Sequence, residues 1–140
     1  MNRIYIEKKP EFRSLNEQMK QEIETLYGVE IEDLRILNLY YRPQAFTEEI
    51  IHNIFSEPAL DDVSTTLEIP EDYRVLRTEY LPGQFDQRAY WASQCLAVLG
   101  EEDEIYSSRI YLLKGLSEEQ WQQVKVFFIN PVESYERELD

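Results

Sequence analysis

The chain has 140 residues, 43% hydrophobic and 13% aromatic, enough for one compact domain or two fused small subdomains around a real core. Its 28 acidic residues outnumber 14 basic ones, and the net charge of -14 repels nucleic-acid backbones with no stripe of Lys and Arg to offset it. Cys95 is the sole cysteine, which excludes an internal disulfide and fits a reducing compartment. The start, Met1-Asn2-Arg3-Ile4-Tyr5-Ile6-Glu7, reaches charge too soon for a signal peptide, and no segment is apolar for long enough to span a bilayer. A cytoplasmic protein with neither nucleic-acid nor membrane partners is expected.

Arg3 to Glu7 alternates β-branched and aromatic residues with polar ones and predicts a strand. A turn at Pro10-Glu11-Phe12 follows. Ser14 with Glu17 has the spacing of a capping box, and Leu15, Met19, Ile23 and Leu26 recur at helical spacing until Gly28 stops the helix. Leu34 to Tyr41 predicts a second strand. Thr47 then caps a second helix, with Glu48 and Glu49 in its first turn and Ile50, Ile51, Ile54 and Phe55 facing inward. Asp61 to Glu68 has room for an edge strand. The stretch around Pro70 is polar and acidic and reads as a join.

The second half repeats this plan about 70 residues on, the size of one small subdomain. Arg74 to Tyr80 matches the first strand, and Pro82-Gly83-Gln84-Phe85 matches the turn before a helix. Asp86 is the N-cap candidate of that helix; Ala92, Cys95, Leu96 and Leu99 form its face, and Gly100 ends it. Ser108 to Lys114 is the next strand. Ser117 with Gln120 is a capping box for a last helix, where Trp121, Val124, Phe127 and Phe128 face inward and Pro131 blocks continuation. The predicted fold is α+β: two β-α-β-α subdomains of ferredoxin-like type, fused about a pseudo-twofold axis, with helices on one face of antiparallel sheets. Residues 1–64 form the first repeat, 65–73 the join and 74–133 the second repeat, and 134–140 begins a linker.

Catalytic chemistry finds little support. His52 is the only histidine and has no second ligand at metal-site spacing, so a structural or surface role is expected. Cys95 sits on the apolar helix face and reads as a buried, inert thiol. Gly28, Gly83, Gly100 and Gly115 are the only glycines, too few for a phosphate loop; Gly83 after Pro82 reads as a turn residue with positive φ. The acid pairs Glu48/Glu49 and Glu118/Glu119 suit helix first turns, and Glu101/Glu102 follows Gly100 in a loop. Tyr40, Tyr41, Tyr106 and Tyr111 read as half-buried sheet residues, with exposed ones available as interface anchors. Arg88 at a helix start has two readings, a surface salt bridge or a receiver of an anion. No catalytic, cofactor-binding or metal-ligating residue is assigned.

Three stretches carry a family signature. The opening Arg3-Ile4-Tyr5-Ile6-Glu7-Lys8-Lys9, the run Leu34-Arg35-Ile36-Leu37-Asn38, and above all Leu81-Pro82-Gly83-Gln84-Phe85-Asp86-Gln87-Arg88-Ala89 with Ser93-Gln94-Cys95 resemble the N-terminal domain of large-type phosphoribosylformylglycinamidine synthase. Ile129-Asn130-Pro131-Val132-Glu133-Ser134 is similar to the segment that closes that domain, so the resemblance spans essentially the whole chain. Tyr90-Trp91 departs from it, standing where the family more often has small or polar residues.

The resemblance implies a domain similar to a dimer of the small protein PurS, in agreement with the repeat. It implies an accessory part in a purine-biosynthesis ligase that converts formylglycinamide ribonucleotide to formylglycinamidine ribonucleotide with ATP and glutamine-derived ammonia. ATP, magnesium and glutamine would be handled by synthetase and glutaminase domains of the same polypeptide, beyond this segment. The implied role is to assemble those partners so that ammonia passes between them, and no activity is expected of the segment alone. Leu81, Pro82, Gly83, Gln84, Phe85, Asp86, Gln87 and Arg88 are the candidate partner-domain interface. A regulatory domain that senses a small molecule between its two repeats is the alternative.

Overall fold

Alternation of side chains along six β runs produces a six-stranded, wholly antiparallel sheet, and the computed structural model describes it over residues 1–101, 104–131 and 133–139. The elements in chain order are β1 (Asn2–Lys8), α1 (Ser14–Tyr27), β2 (Asp33–Arg42), α2 (Glu48–Ile50), β3 (Asp61–Ser64), β4 (Tyr73–Tyr80), α3 (Gln87–Val98), β5 (Tyr106–Lys114), α4 (Glu118–Phe128) and β6 (Ser134–Arg137). The strand order is β3-β1-β2-β5-β4-β6. The central seam pairs β2 with β5 from Asp33 opposite Lys114 to Tyr41 opposite Tyr106. No helix is long and apolar enough to cross a membrane among the described residues.

Even-numbered residues of β1, β2 and β4 face the helices. Ile23 of α1 meets Trp121 and Val124 of α4 over Leu34, Leu76, Tyr111 and Leu113. Ile50 and Phe55 from α2 and the turn after it meet Ala92 and Leu96 of α3 over Ile4 and Ile6. Each helix pair therefore joins one helix from each half of the chain. The opposite face carries Tyr5, Leu37, Leu39, Tyr41, Ile110 and Leu112, all buried. Leu67, Tyr73, Val75 and Leu139 pack against them. The join and the C-terminal tail thus do on this face what helices do on the other.

Local signals hold at most helix ends. Thr47 accepts from the Ile50 N–H, Asp86 from the Ala89 N–H, and Ser117 with Gln120 forms the full capping box. Gly28 takes φ +64° and returns its N–H to the Glu24 carbonyl, ending α1.

Four expectations need correction. Ser14 is the first residue of α1, not its cap; Arg13 stands at the cap position and its side chain makes no capping bond to the helix, so the Ser14/Glu17 box does not form. Asn16 and Ile23 are the buried residues of α1, whereas Leu15 is exposed and Leu26 is 63% exposed. At 100° per residue Leu15 and Leu26 lie roughly 60–80° to one side of Ile23, and Asn16 lies only about 20° to the other. Asn16 tolerates burial because its amide donates to the Leu34 carbonyl at 2.9 Å. The helix after Thr47 is one α turn followed by a π turn over Ile51–Phe55, although its apolar residues do reach the core. Finally, Ser134–Arg137 is not linker but the edge strand β6, paired with β4 because Tyr135 and Arg137 both bond Glu79 there. Glu102, Asp103, Val132 and Asp140 lie outside the described residues, and with them one member of the Glu101/Glu102 pair and one residue of the closing segment.

Candidate docking site around residues 81–88

The loop leaves β4 at Tyr80 and is tied at once, since the Leu81 N–H donates to the Glu133 carbonyl at 2.7 Å. Pro82 presets φ for a tight turn, and Gly83 supplies φ +88° at the next position; the turn closes with the Gln84 N–H on the Leu81 carbonyl at 3.0 Å. Open space surrounds Gly83, so backbone conformation rather than crowding requires glycine there. Asp86 then works twice. Its Oδ1 accepts from the Ala89 N–H at 3.1 Å and its Oδ2 from the Ser107 hydroxyl at 2.5 Å, which pins the start of α3 to β5.

The eight candidate residues divide by role. Pro82, Gly83, Gln84, Phe85 and Gln87 face solvent, while Leu81, Asp86 and Arg88 turn toward the fold. Phe85 is 65% exposed and its ring lies 5.3 Å from that of Tyr90, centroid to centroid. Trp91 at 68% and Val98 at 86% exposure continue an outward apolar stripe along α3, seven residues apart. Within α3, Arg88 is the only charged residue. The outer surface formed by Gln87, Tyr90, Trp91, Gln94 and Val98 is therefore uncharged in a chain with 30% charged residues. Exposed aromatics without surrounding charge are what a buried interface centre requires. The helical spacing of uncharged positions in the sequence is the signal for this surface, of which Tyr90-Trp91, the departure from the family pattern, is the centre.

Behind the loop lies a cleft of about 200 Å³, lined among others by Tyr80, Arg88, Ser107, Arg109, Phe128 and Asn130. Burial raises the Tyr40 pKa, and the charges of Arg88 and Arg109 act against that rise. A second cleft, lined by Tyr5, Glu7, Arg35, Leu37, Leu67 and neighbours, lies in the first half and the join. Neither straddles the β2–β5 seam, where the alternative reading would place a metabolite.

On the opposite face a buried polar knot fixes β4, from which the loop departs. Glu79 accepts from the Tyr41 hydroxyl at 2.6 Å, the Ser108 hydroxyl at 2.6 Å and Arg137 Nη1 at 2.5 Å. Burial works to raise the Glu79 pKa, but the hydrogen bonds from Ser108, Tyr41 and Arg137 together outweigh it and hold the carboxyl below its ordinary value. Burial and the bond to Glu79 push Tyr41 up to about 12. Arg77 is lowered, by burial first and then by Arg137. The guanidinium groups of Arg77 and Arg137 lie 5.3 and 5.6 Å from the Tyr41 ring centroid. Arg77 Nη1 also donates to the Glu138 carbonyl at 2.9 Å, and Arg3 Nη1 to the Leu139 carbonyl at 2.7 Å. These two bonds strap the tail across the sheet. The knot is structural, and no spacing in the sequence announced it.

Elsewhere, His52 is exposed, and Cys95 is half-buried rather than fully buried. Among the described residues no group of three His, Cys, Asp or Glu could hold a metal ion. Tyr41 and Tyr111 are buried, Tyr40 is half-buried, and Tyr106 is exposed and stacks on Tyr41 with centroids 5.2 Å apart. No family model matches the chain, and no curated protein matches it.

Proposed function

We propose that this chain is an accessory docking domain, similar to the N-terminal domain of large-type phosphoribosylformylglycinamidine synthase, that assembles synthetase and glutaminase domains for ammonia transfer. The observation that carries the reading is the Leu81–Ala89 motif, a hydrogen-bonded loop with Phe85 outward and continuous with the uncharged face of α3. In this reading the sheet is a fused dimer of β-α-β-α units about a pseudo-twofold axis at the β2–β5 seam. Two features support that axis. Moving outward from the seam, the order is β1 then β3 on one side and β4 then β6 on the other. The first helix of each half also packs with the second helix of the other half. The domain itself performs no chemistry in this proposal, and its place is the cytoplasmic purine pathway.

The test uses a synthase of that family lacking its own N-terminal domain. Glutamine-dependent ADP formation is measured with and without this chain. Restoration that is lost with the Phe85→Ala/Trp91→Ala variant is the expected result. No restoration by the folded chain, or restoration indifferent to those two residues, rejects the docking role. Both side chains are largely exposed, so their removal leaves the core untouched.

A further inference from the structure

The chain has nine arginines in an excess of acid. Arg13, Arg35, Arg42, Arg74, Arg77 and Arg137 each meet a carboxylate. Arg3 donates to the Leu139 carbonyl. Arg88 and Arg109 are left, and neither has a carboxylate partner among the described residues. These two, from different elements, line the same cleft.

We propose that the cleft between the start of α3, β5 and the end of α4 is a binding site for a phosphate group, held by Arg88 and Arg109. Arg88 Nε is buried with no hydrogen-bond partner, which is costly for a charged donor unless something occupies the cleft. Arg109 spends only its Nε, on Asn38 Oδ1 at 3.4 Å. Tyr80 also lines the cleft. Two guanidinium groups present more donors than one carboxylate can use, and they match the three terminal oxygens of a phosphate monoester. A volume near 200 Å³ holds such a group and a few attached atoms.

The nearby acids do not fill this role themselves. Asp86 is occupied by the Ala89 N–H and the Ser107 hydroxyl. Glu79 contributes to the cleft wall, but its carboxylate is taken up by Tyr41 and Ser108. Glu133 is exposed at the rim and bonded there through its backbone. Ser134 exchanges hydrogen bonds with Asn130. A chain of net charge -14 does not gather phosphate without such a local site.

The proposal is independent of the docking role, because its test uses the chain alone. Inorganic phosphate is titrated into the isotope-labelled protein at constant ionic strength, with acetate as a second arm, and amide shifts are followed by NMR. The expected result is saturable phosphate binding centred on residues 80, 88, 109 and 130. Arg88→Gln and Arg109→Gln should each weaken it by about tenfold or more, with the rest of the spectrum unchanged. Absent saturation, acetate binding as tight as phosphate, or unchanged affinity in both variants overturns the proposal. If a variant fails to fold, the wild-type melting temperature decides: it should rise with phosphate and not with acetate, and a flat response overturns the site.

Discussion

Leu112 and Leu113 are neighbours in β5, both without exposed surface, and they face opposite ways. Leu113 lies under α1 and α4, while Leu112 lies under the join and the tail. One face is closed by periodic helices and the other by irregular chain fastened through Arg3 and Arg77. The comparison teaches that burial and regular structure are separable. An irregular strap gives equal burial when its backbone carbonyls find fixed donors.

The largest test of this equivalence is to truncate each leucine. Leu113→Ala and Leu112→Ala should each cost about 2–5 kcal/mol, the usual range for a fully buried leucine. Urea unfolding of both variants measures the difference. A cost for Leu112→Ala far below that of Leu113→Ala would break the comparison and mark the strap as loosely closed.

Next in size is the carboxylate that organises the strapped face. Glu79→Gln should cost about 2–3 kcal/mol, because Arg137 and Arg77 lose their charged partner while an amide still accepts from Tyr41 or Ser108. The pH dependence has a definite sign. The folded carboxyl lies below its ordinary value, so its contribution is present above about pH 4.3 and fades as pH falls through the folded pKa. The gap between wild type and Glu79→Gln should therefore narrow in acid, as denaturation curves at stepped pH would record. A gap that widens in acid contradicts the assignment.

Tyr41→Phe isolates one bond of the same knot and should cost about 1.5 kcal/mol, as a hydrogen bond to a charged acceptor does. Tyr41 is raised to about 12, so its contribution is whole below pH ~10 and is lost as pH rises toward 12. Titration of tyrosinate absorbance should show a late-ionising group that the variant lacks.

The helix-covered face was legible from sequence because amphipathic period, caps and glycine stops repeat there twice. The strapped face was not. Leu67 and Leu139 sit in stretches without periodicity, and the tail that carries Leu139 is held by Arg3 and Arg77, which come from strands distant from it in sequence. The candidate docking loop was legible as a motif with its turn and cap. Its extension onto Trp91 and Val98 needed the helix phase, and the pairing of Arg88 with Arg109 in one cleft needed the packing of α3 on β5.

The smallest test separates two serines that look alike in sequence. Each precedes an amphipathic run, with Glu17 or Gln120 three residues on. Ser117 accepts from the Gln120 N–H at 3.2 Å and its own N–H donates to the Gln120 side chain at 3.0 Å, so Ser117→Ala should cost about 1 kcal/mol. Ser14 lies inside the first turn, one residue past the cap, because Arg13 holds the cap position and its Nε donates to the Lys8 carbonyl at 2.8 Å. Removing the Ser14 hydroxyl should shift stability by less than about 0.5 kcal/mol. Thermal unfolding of the two variants side by side decides it. An equal loss at both would mean that Ser14 is the cap in solution and α1 starts at Leu15, with Arg13 released from the turn that now fixes the register of the helix.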